Sequence, residues 1–106
     1  MRLTAPEIQA FIEVLTPRVG NFHAQLFLYG SRVHDEKRGG DIDLLLEVKD
    51  AVMAKQLNEI KYILLADFKE RIGDQKIDFL ICTPDEKQTE PFLQLISRDA
   101  LVLHSW

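Results

Sequence analysis

Ala24-Gln25-Leu26-Phe27-Leu28-Tyr29-Gly30-Ser31-Arg32 and, after a loop, Asp41-Ile42-Asp43-Leu44-Leu45-Leu46-Glu47-Val48 are the stretches whose reading decides the fold. The first is apolar and aromatic from Ala24 to Tyr29 and stops at Gly30-Ser31. So short a run of that composition favours a strand over a helix. The second alternates, with Ile42, Leu44, Leu46 and Val48 on one face and Asp41, Asp43, Leu45 and Glu47 on the other. It predicts a second strand that is half buried and carries carboxylates on its other side.

Working outward, Thr4-Ala5-Pro6-Glu7 has the capping-box pattern with proline in the first turn, and Ile8, Phe11, Ile12, Leu15 and Val19 follow at helical spacing. A helix therefore begins at Ala5, to be ended or kinked by Pro17 and Gly20. From Ala51 to Ile72, Met53, Leu57, Ile60, Leu64 and Phe68 recur every three or four positions, and Gly73 can cap the end. That spacing predicts one long amphipathic helix. Lys76 to Cys82 returns to period two, setting Ile77, Phe79 and Ile81 against Asp78, Leu80 and Cys82, and predicts a third strand. Thr83-Pro84-Asp85 reads as a turn. Thr89 reads as the cap of a last helix, with Pro91 in its first turn and Phe92, Leu95 and Ile96 facing inward, and Leu101 to His104 as a short edge strand. The order α-β-β-α-β-α describes an α/β (α+β) fold, one small mixed sheet of three to four strands with helices mainly on one face and the carboxylates on the other. With no repeat or linker, residues 1–106 are expected to form a single domain.

The chemistry gathers at the strand ends. Residues i and i+2 of a strand point the same way, about 6.6 Å apart, so Asp41 and Asp43 can converge on cations between them. Hard divalent ions such as Mg²⁺ take oxygen ligands and keep positions open for phosphate. Asp78 interrupts an apolar strand, where a carboxylate without a partner is costly, and is the candidate third acid. At Gly30 the missing side chain lets a phosphate approach the backbone, and Ser31 offers a hydroxyl and an N–H if a helical turn begins there. Arg32 stands beside them, and Lys37 and Arg38 lie in the same nine-residue loop, residues 32–40, within reach of a polyphosphate.

Leu28-Tyr29-Gly30-Ser31-Arg32, Asp41-Ile42-Asp43-Leu44 and Ile77-Asp78-Phe79, in that order, resemble the nucleotidyltransferase superfamily of DNA polymerase beta. The short chain and the Gly-Ser-Arg opening look most like the minimal nucleotidyltransferases that are paired with HEPN-domain proteins. The resemblance implies a palm-like fold, two Mg²⁺ ions and transfer of a nucleoside monophosphate from a nucleotide triphosphate, typically ATP. In several such pairs the small enzyme is an antitoxin that adenylylates a tyrosine of its HEPN toxin. Carried over residue by residue, Gly30, Ser31 and Arg32 would serve the nucleotide, and Asp41 and Asp43 would bind both metals. Asp78 would bind one metal and help deprotonate the acceptor hydroxyl. A HEPN-domain partner and a hetero-oligomer are expected with it.

Composition narrows the alternatives. Thirteen basic against seventeen acidic residues leave a charge of -4, which argues against gripping a nucleic-acid backbone by bulk electrostatics, so direct DNA binding is not expected. No apolar run approaches the roughly 20 residues that span a bilayer, and the N-terminus lacks a signal-peptide pattern. Cys82, the single cysteine, cannot close an internal disulfide and reads as a small buried residue rather than a catalytic thiol. A cytoplasmic protein is expected. His23, His34 and His104 show no zinc-ligand spacing, and no P-loop is present. Tyr29 and Trp106 could stack on a base, though packing is the ordinary explanation. Leu45, Leu80 and Cys82 share the face of the aspartates and need cover, from another protein or from the tail Ser97 to Trp106. Two other readings compete: a binding module that neutralises its partner by contact alone, and a nucleotidyltransferase acting on a small molecule or on itself.

Overall fold

The first helix, α1 (Ala5–Val19), is started by reciprocal hydrogen bonds: the Glu7 N–H donates to Thr4 Oγ1 at 3.2 Å and the Thr4 N–H to Glu7 Oε1 at 2.9 Å. It passes through Pro17 and ends where the Gly20 N–H donates to the Thr16 carbonyl at 2.8 Å. Phe11, Leu15 and Val19, a turn apart, are wholly buried. These observations come from a computed structural model that describes residues 1–34 and 41–106, so Lys37 and Arg38 lie outside the described residues.

Four strands, β1 (Ala24–Tyr29), β2 (Ile42–Val48), β3 (Ile77–Cys82) and β4 (Leu101–Ser105), form one mixed sheet in the order β3-β2-β1-β4. β1 runs antiparallel to β2 and β4, whereas β2 and β3 are parallel. A parallel pair needs a crossover, and two helices make it, α2 (Ala51–Glu59) and α3 (Lys61–Ile72). The single long helix expected from Ala51 to Ile72 is thus broken at Ile60, whose φ of -109° and ψ of 16° leave the helical region. A straight helix of that span would be about 33 Å long, against roughly 20 Å for the strands it must cover. Asn58 pins the end of α2 to the sheet by donating to the Ile81 carbonyl at 3.3 Å. From there α3 turns under α1, where Phe68 meets Phe11 and Phe79 edge-on at centroid distances of 5.0 and 5.3 Å.

The three longer helices cover one face of the sheet, and the other face carries a smaller cluster of Phe27, Tyr29, Leu45 and Cys82. Thr83-Pro84-Asp85 is not a simple turn: Thr83 and Glu86 form a second capping box that starts α4 (Pro84–Thr89). Thr89 does not cap the last helix; its hydroxyl donates to the Asp85 carbonyl at 3.0 Å, and Glu90 precedes α5 (Pro91–Ser97). Leu93, Ile96 and Ala100 pack on the smaller cluster, so α5, not the tail, gives the expected cover, while the tail forms β4 beside β1. Only one row of so short a helix can reach the sheet. Leu93 and Ile96 form it, and Phe92 and Leu95, expected inside, are 57% and 58% exposed. At the far end Lys87 pairs with Glu47 at 3.0 Å and lies 4.0 Å over the Phe27 ring. Burial first, then the charges of Glu47 and Glu86, push the Cys82 thiol up to about 11, as befits an inert packing residue. Trp106 also packs, edge-on to His104 and donating to Thr16 Oγ1 at 2.9 Å, at the end of the sheet away from Gly30. No helix among the described residues is long and apolar enough to cross a membrane.

Candidate active site

Register assembles the acids. The parallel pairing sets Asp43 beside Asp78 and the antiparallel pairing sets Tyr29 beside Asp43, in one row across β3, β2 and β1. Asp41, two residues before Asp43, adds its carboxylate from the entrance of β2. One oxygen from each of Asp41, Asp43 and Asp78 lies within 4.8 Å of the others. At the end of β1 the chain passes into a 3₁₀ turn, Gly30–Val33, and Gly30 takes a φ of +78°. That conformation strains any residue with a Cβ, and a Cβ built there would run into the Asp43 carboxylate. Glycine at this position therefore leaves room for the acid itself as well as for a ligand.

The cluster is short of positive charge. Burial, then the charge of Asp78 and a hydrogen bond with it, then Asp41, push the Asp43 carboxyl up to about 6, while Lys76 pulls the other way. The same two acids, after burial, push the Tyr29 phenol up to about 12. Lys76 Nζ stands 3.4 Å from Asp41 Oδ2, an ion pair whose lysine side chain is 75% exposed and so a weak counter-ion. Converging, mutually repelling oxygen ligands with an open side fit a hard divalent cation such as Mg²⁺ and would not suit a softer metal.

Asp43 and Asp78 line a cleft of about 520 Å³ together with Gly30, Ser31, Phe92 and Leu95. A volume of that order suits a nucleotide. Gly30, Ser31 and the three acids, singled out by sequence, are thus brought together. Arg32 goes elsewhere: its guanidinium donates to the Arg2 carbonyl at 3.2 Å and to Gln75 Oε1 at 3.4 Å, and it is not among the residues lining the cleft. Gln75 in turn donates to Glu7 Oε2 at 2.8 Å, and Arg2 donates to the Ser31 and His34 carbonyls at 3.4 Å. Burial opposes the charge of Glu7, but hydrogen bonds from Thr4 and Gln75 and the nearby Arg32 outweigh it and hold the carboxyl below its usual range. This network fastens the N-terminus, the 3₁₀ turn and the entrance of β3 to one another. Sequence reasoning passed over it, and over His34, Phe92, Leu95 and Asp99 at the cleft. Only the oddity of an aromatic beside Pro91 in a short helix could have drawn notice.

No curated protein matches the chain. The sequence profile of the nucleotidyltransferase domain, however, matches residues 8–104 of the 106, from α1 to β4. Nucleotidyltransferases generally use a nucleotide triphosphate and a divalent metal, and a three-acid cluster suited to such a metal is present here. Nearly the whole length of the chain is matched, so the protein belongs to the nucleotidyltransferase domain family and is a transferase of nucleotidyl groups.

Proposed function

We propose that this protein transfers AMP from ATP to a hydroxyl of a protein acceptor, a tyrosine of a partner HEPN toxin, and thereby acts as its antitoxin in the cytoplasm. The observation that carries the reading is the convergence of Asp41, Asp43 and Asp78 within 4.8 Å, beside a left-handed glycine and a serine at the mouth of a nucleotide-sized cleft. Asp41 and Asp43 hold two Mg²⁺ ions and Asp78 shares one of them. Bound there, the ions would neutralise charge on the phosphates and ease loss of the acceptor proton. Gly30 lets the polyphosphate lie against the backbone, and Ser31 donates to it. Asp78, exposed on the edge strand, takes the proton of the attacking hydroxyl. The acceptor oxygen bonds to the α-phosphorus, the bond from that phosphorus to the bridging oxygen breaks, and its electron pair leaves with pyrophosphate. Arg32 serves the nucleotide indirectly, by fixing the turn that contains Ser31.

The length of the chain and the Gly30-Ser31-Arg32 opening support the HEPN partnership through the resemblance to minimal nucleotidyltransferases. Intact-mass spectrometry tests the proposal. The chain and its HEPN partner are incubated with Mg²⁺ and each of the four ribonucleotide triphosphates, beside the Asp41→Asn/Asp43→Asn variant. Gain of AMP by the partner with wild type alone is expected. Co-purification without a mass gain on either protein would replace the proposal with neutralisation by contact, and a gain on this chain alone would point to self-modification.

A further inference from the structure

Asp78 lines two spaces. Besides the cleft shared with Gly30, Ser31 and Asp43, it borders a second hollow of about 340 Å³, lined among others by Lys61 and Leu65 of α3, Leu80 of β3 and Phe92 of α5. The first space lies toward β2 and β1, where the turn at Gly30 is, and the second lies toward α3 at the free edge strand β3. Phe92, 57% exposed, and Asp78 stand between them. An in-line displacement separates its two partners: the attacking oxygen arrives opposite the leaving pyrophosphate. If the polyphosphate rests at Gly30 and Ser31, the acceptor must come from the side of Asp78 that faces away from them. The second hollow is on that side.

Its lining also narrows what can enter. Leu65, Leu80 and the Phe92 ring offer apolar and aromatic surface, while Lys61 and Asp78 supply one cation and one anion. A polynucleotide would ask for several cations and a polyamino sugar for several acids. A phenol matches better, with its ring against Leu65 and Phe92 and its oxygen toward Asp78, where the Lys61 ammonium can meet the developing phenolate. We propose that this second hollow is the entrance for the acceptor, that it admits a tyrosyl side chain of a polypeptide, and that Lys61 and Leu65 select it. The proposal rests on the nucleotidyl-transfer reading above. The step balances as already written: the phenol oxygen bonds to the α-phosphorus, pyrophosphate leaves with the electron pair, and the phenol proton passes to Asp78 and then to solvent.

The test uses the full chain, Mg²⁺, ATP and heptapeptides centred on tyrosine or serine, with adenylylated peptide measured by mass spectrometry. A fluorescent ATP analogue reports donor binding separately. Lys61→Glu, a surface change, and Leu65→Ser should each raise the KM for the tyrosine peptide at least tenfold and alter the Kd of the analogue by less than twofold. Weaker analogue binding with an unchanged peptide KM would give the hollow to the donor and overturn the proposal. No effect of Lys61→Glu on either, labelling of the serine peptide as readily as the tyrosine peptide, or donor binding without labelling of any peptide would overturn it too. A wild-type protein that binds no Mg²⁺-nucleotide would refute the underlying transferase site instead, and that failure is read in the donor assay alone.

Discussion

Asp43→Asn should make the metal-free protein more stable while removing its response to Mg²⁺. The carboxyl of Asp43 is pushed from an ordinary 3.8 to about 6 by burial and by the neighbouring acids. That difference corresponds to about 3 kcal/mol of added proton affinity at most. Asp43 is only partly buried, and solvent screening reduces the figure to about 1 kcal/mol. The sign follows from proton counting. Between pH 3.8 and about 6 the folded chain keeps a proton that the unfolded chain has lost. Stability therefore falls as pH rises through this window and stays reduced above it. Asparagine has the same outline, carries no charge and can donate to Asp78, so the variant escapes this loss. In EDTA the two proteins should melt together below about pH 4, and above pH 7 the variant should melt about 4–8 °C higher, the shift that about 1 kcal/mol produces in a domain of roughly this size. Mg²⁺ at a hundred times its Kd would stabilise wild type by about 2.7 kcal/mol and the variant far less. Differential scanning fluorimetry across pH, with and without Mg²⁺, reads both effects. A variant that melts at or below wild type in EDTA at pH 8, or gains as much from Mg²⁺, refutes the claim that these acids repel one another and hold the ion.

Two further outcomes concern the residues around the acids. Gly30→Ala places a Cβ at φ +78° and against the Asp43 carboxylate; it should cost roughly 1–2 kcal/mol in the melt and abolish transfer, so a stable, active variant would show the turn to be permissive. Arg32→Ala removes donors to the Arg2 carbonyl and to Gln75 and should cost about 1–3 kcal/mol without nucleotide present, whereas a melt identical to wild type combined with weakened ATP binding would mean that Arg32 contacts the nucleotide directly.

Most of the sheet could be read from the chain because burial on a strand has period two. Ile42, Leu44, Leu46 and Val48 are wholly buried as their alternation demands, and Asp43, Leu45 and Glu47 face the other way. The break at Ile60 was not legible, since no glycine or proline marks it. It depends on the distance the crossover must cover and on Asn58 reaching a carbonyl of β3, both of which are tertiary. The second capping box, by contrast, was written plainly in Thr83-Pro84-Asp85-Glu86, by the same rule that located α1. It was obscured by the habit of reading Thr-Pro-Asp as a turn. Asp41, Asp43 and Asp78 were legible as individuals, but the pairing of Asp43 with Asp78 comes from the parallel register, which no local pattern encodes. Arg32 was misleading for a related reason. A cation next to a phosphate loop suggests a phosphate ligand, and only the fold reveals that Arg2 and Gln75 claim it.

The same register explains how the acids are kept together against their repulsion. Asp43 is flanked along its strand by Ile42 and Leu44, both wholly buried, and Asp78 by Ile77 and Phe79, 7% and 3% exposed. To separate the carboxylates the backbone would have to slide by a residue, which would turn every one of these apolar side chains out of the core. Burial on one face thus holds charge in place on the other, and the cation site is organised before any ion arrives. Gly30 completes the arrangement from β1, since the carboxylate of Asp43 occupies the volume that any other residue there would fill. The energetic conflict is confined to the ends of β1, β2 and β3 and leaves the apolar core beneath them intact. On this account Asp78→Asn should, like Asp43→Asn, leave the sheet folded, and a variant that instead lost its cooperative melt would place the anchoring in the acids themselves rather than in the core below.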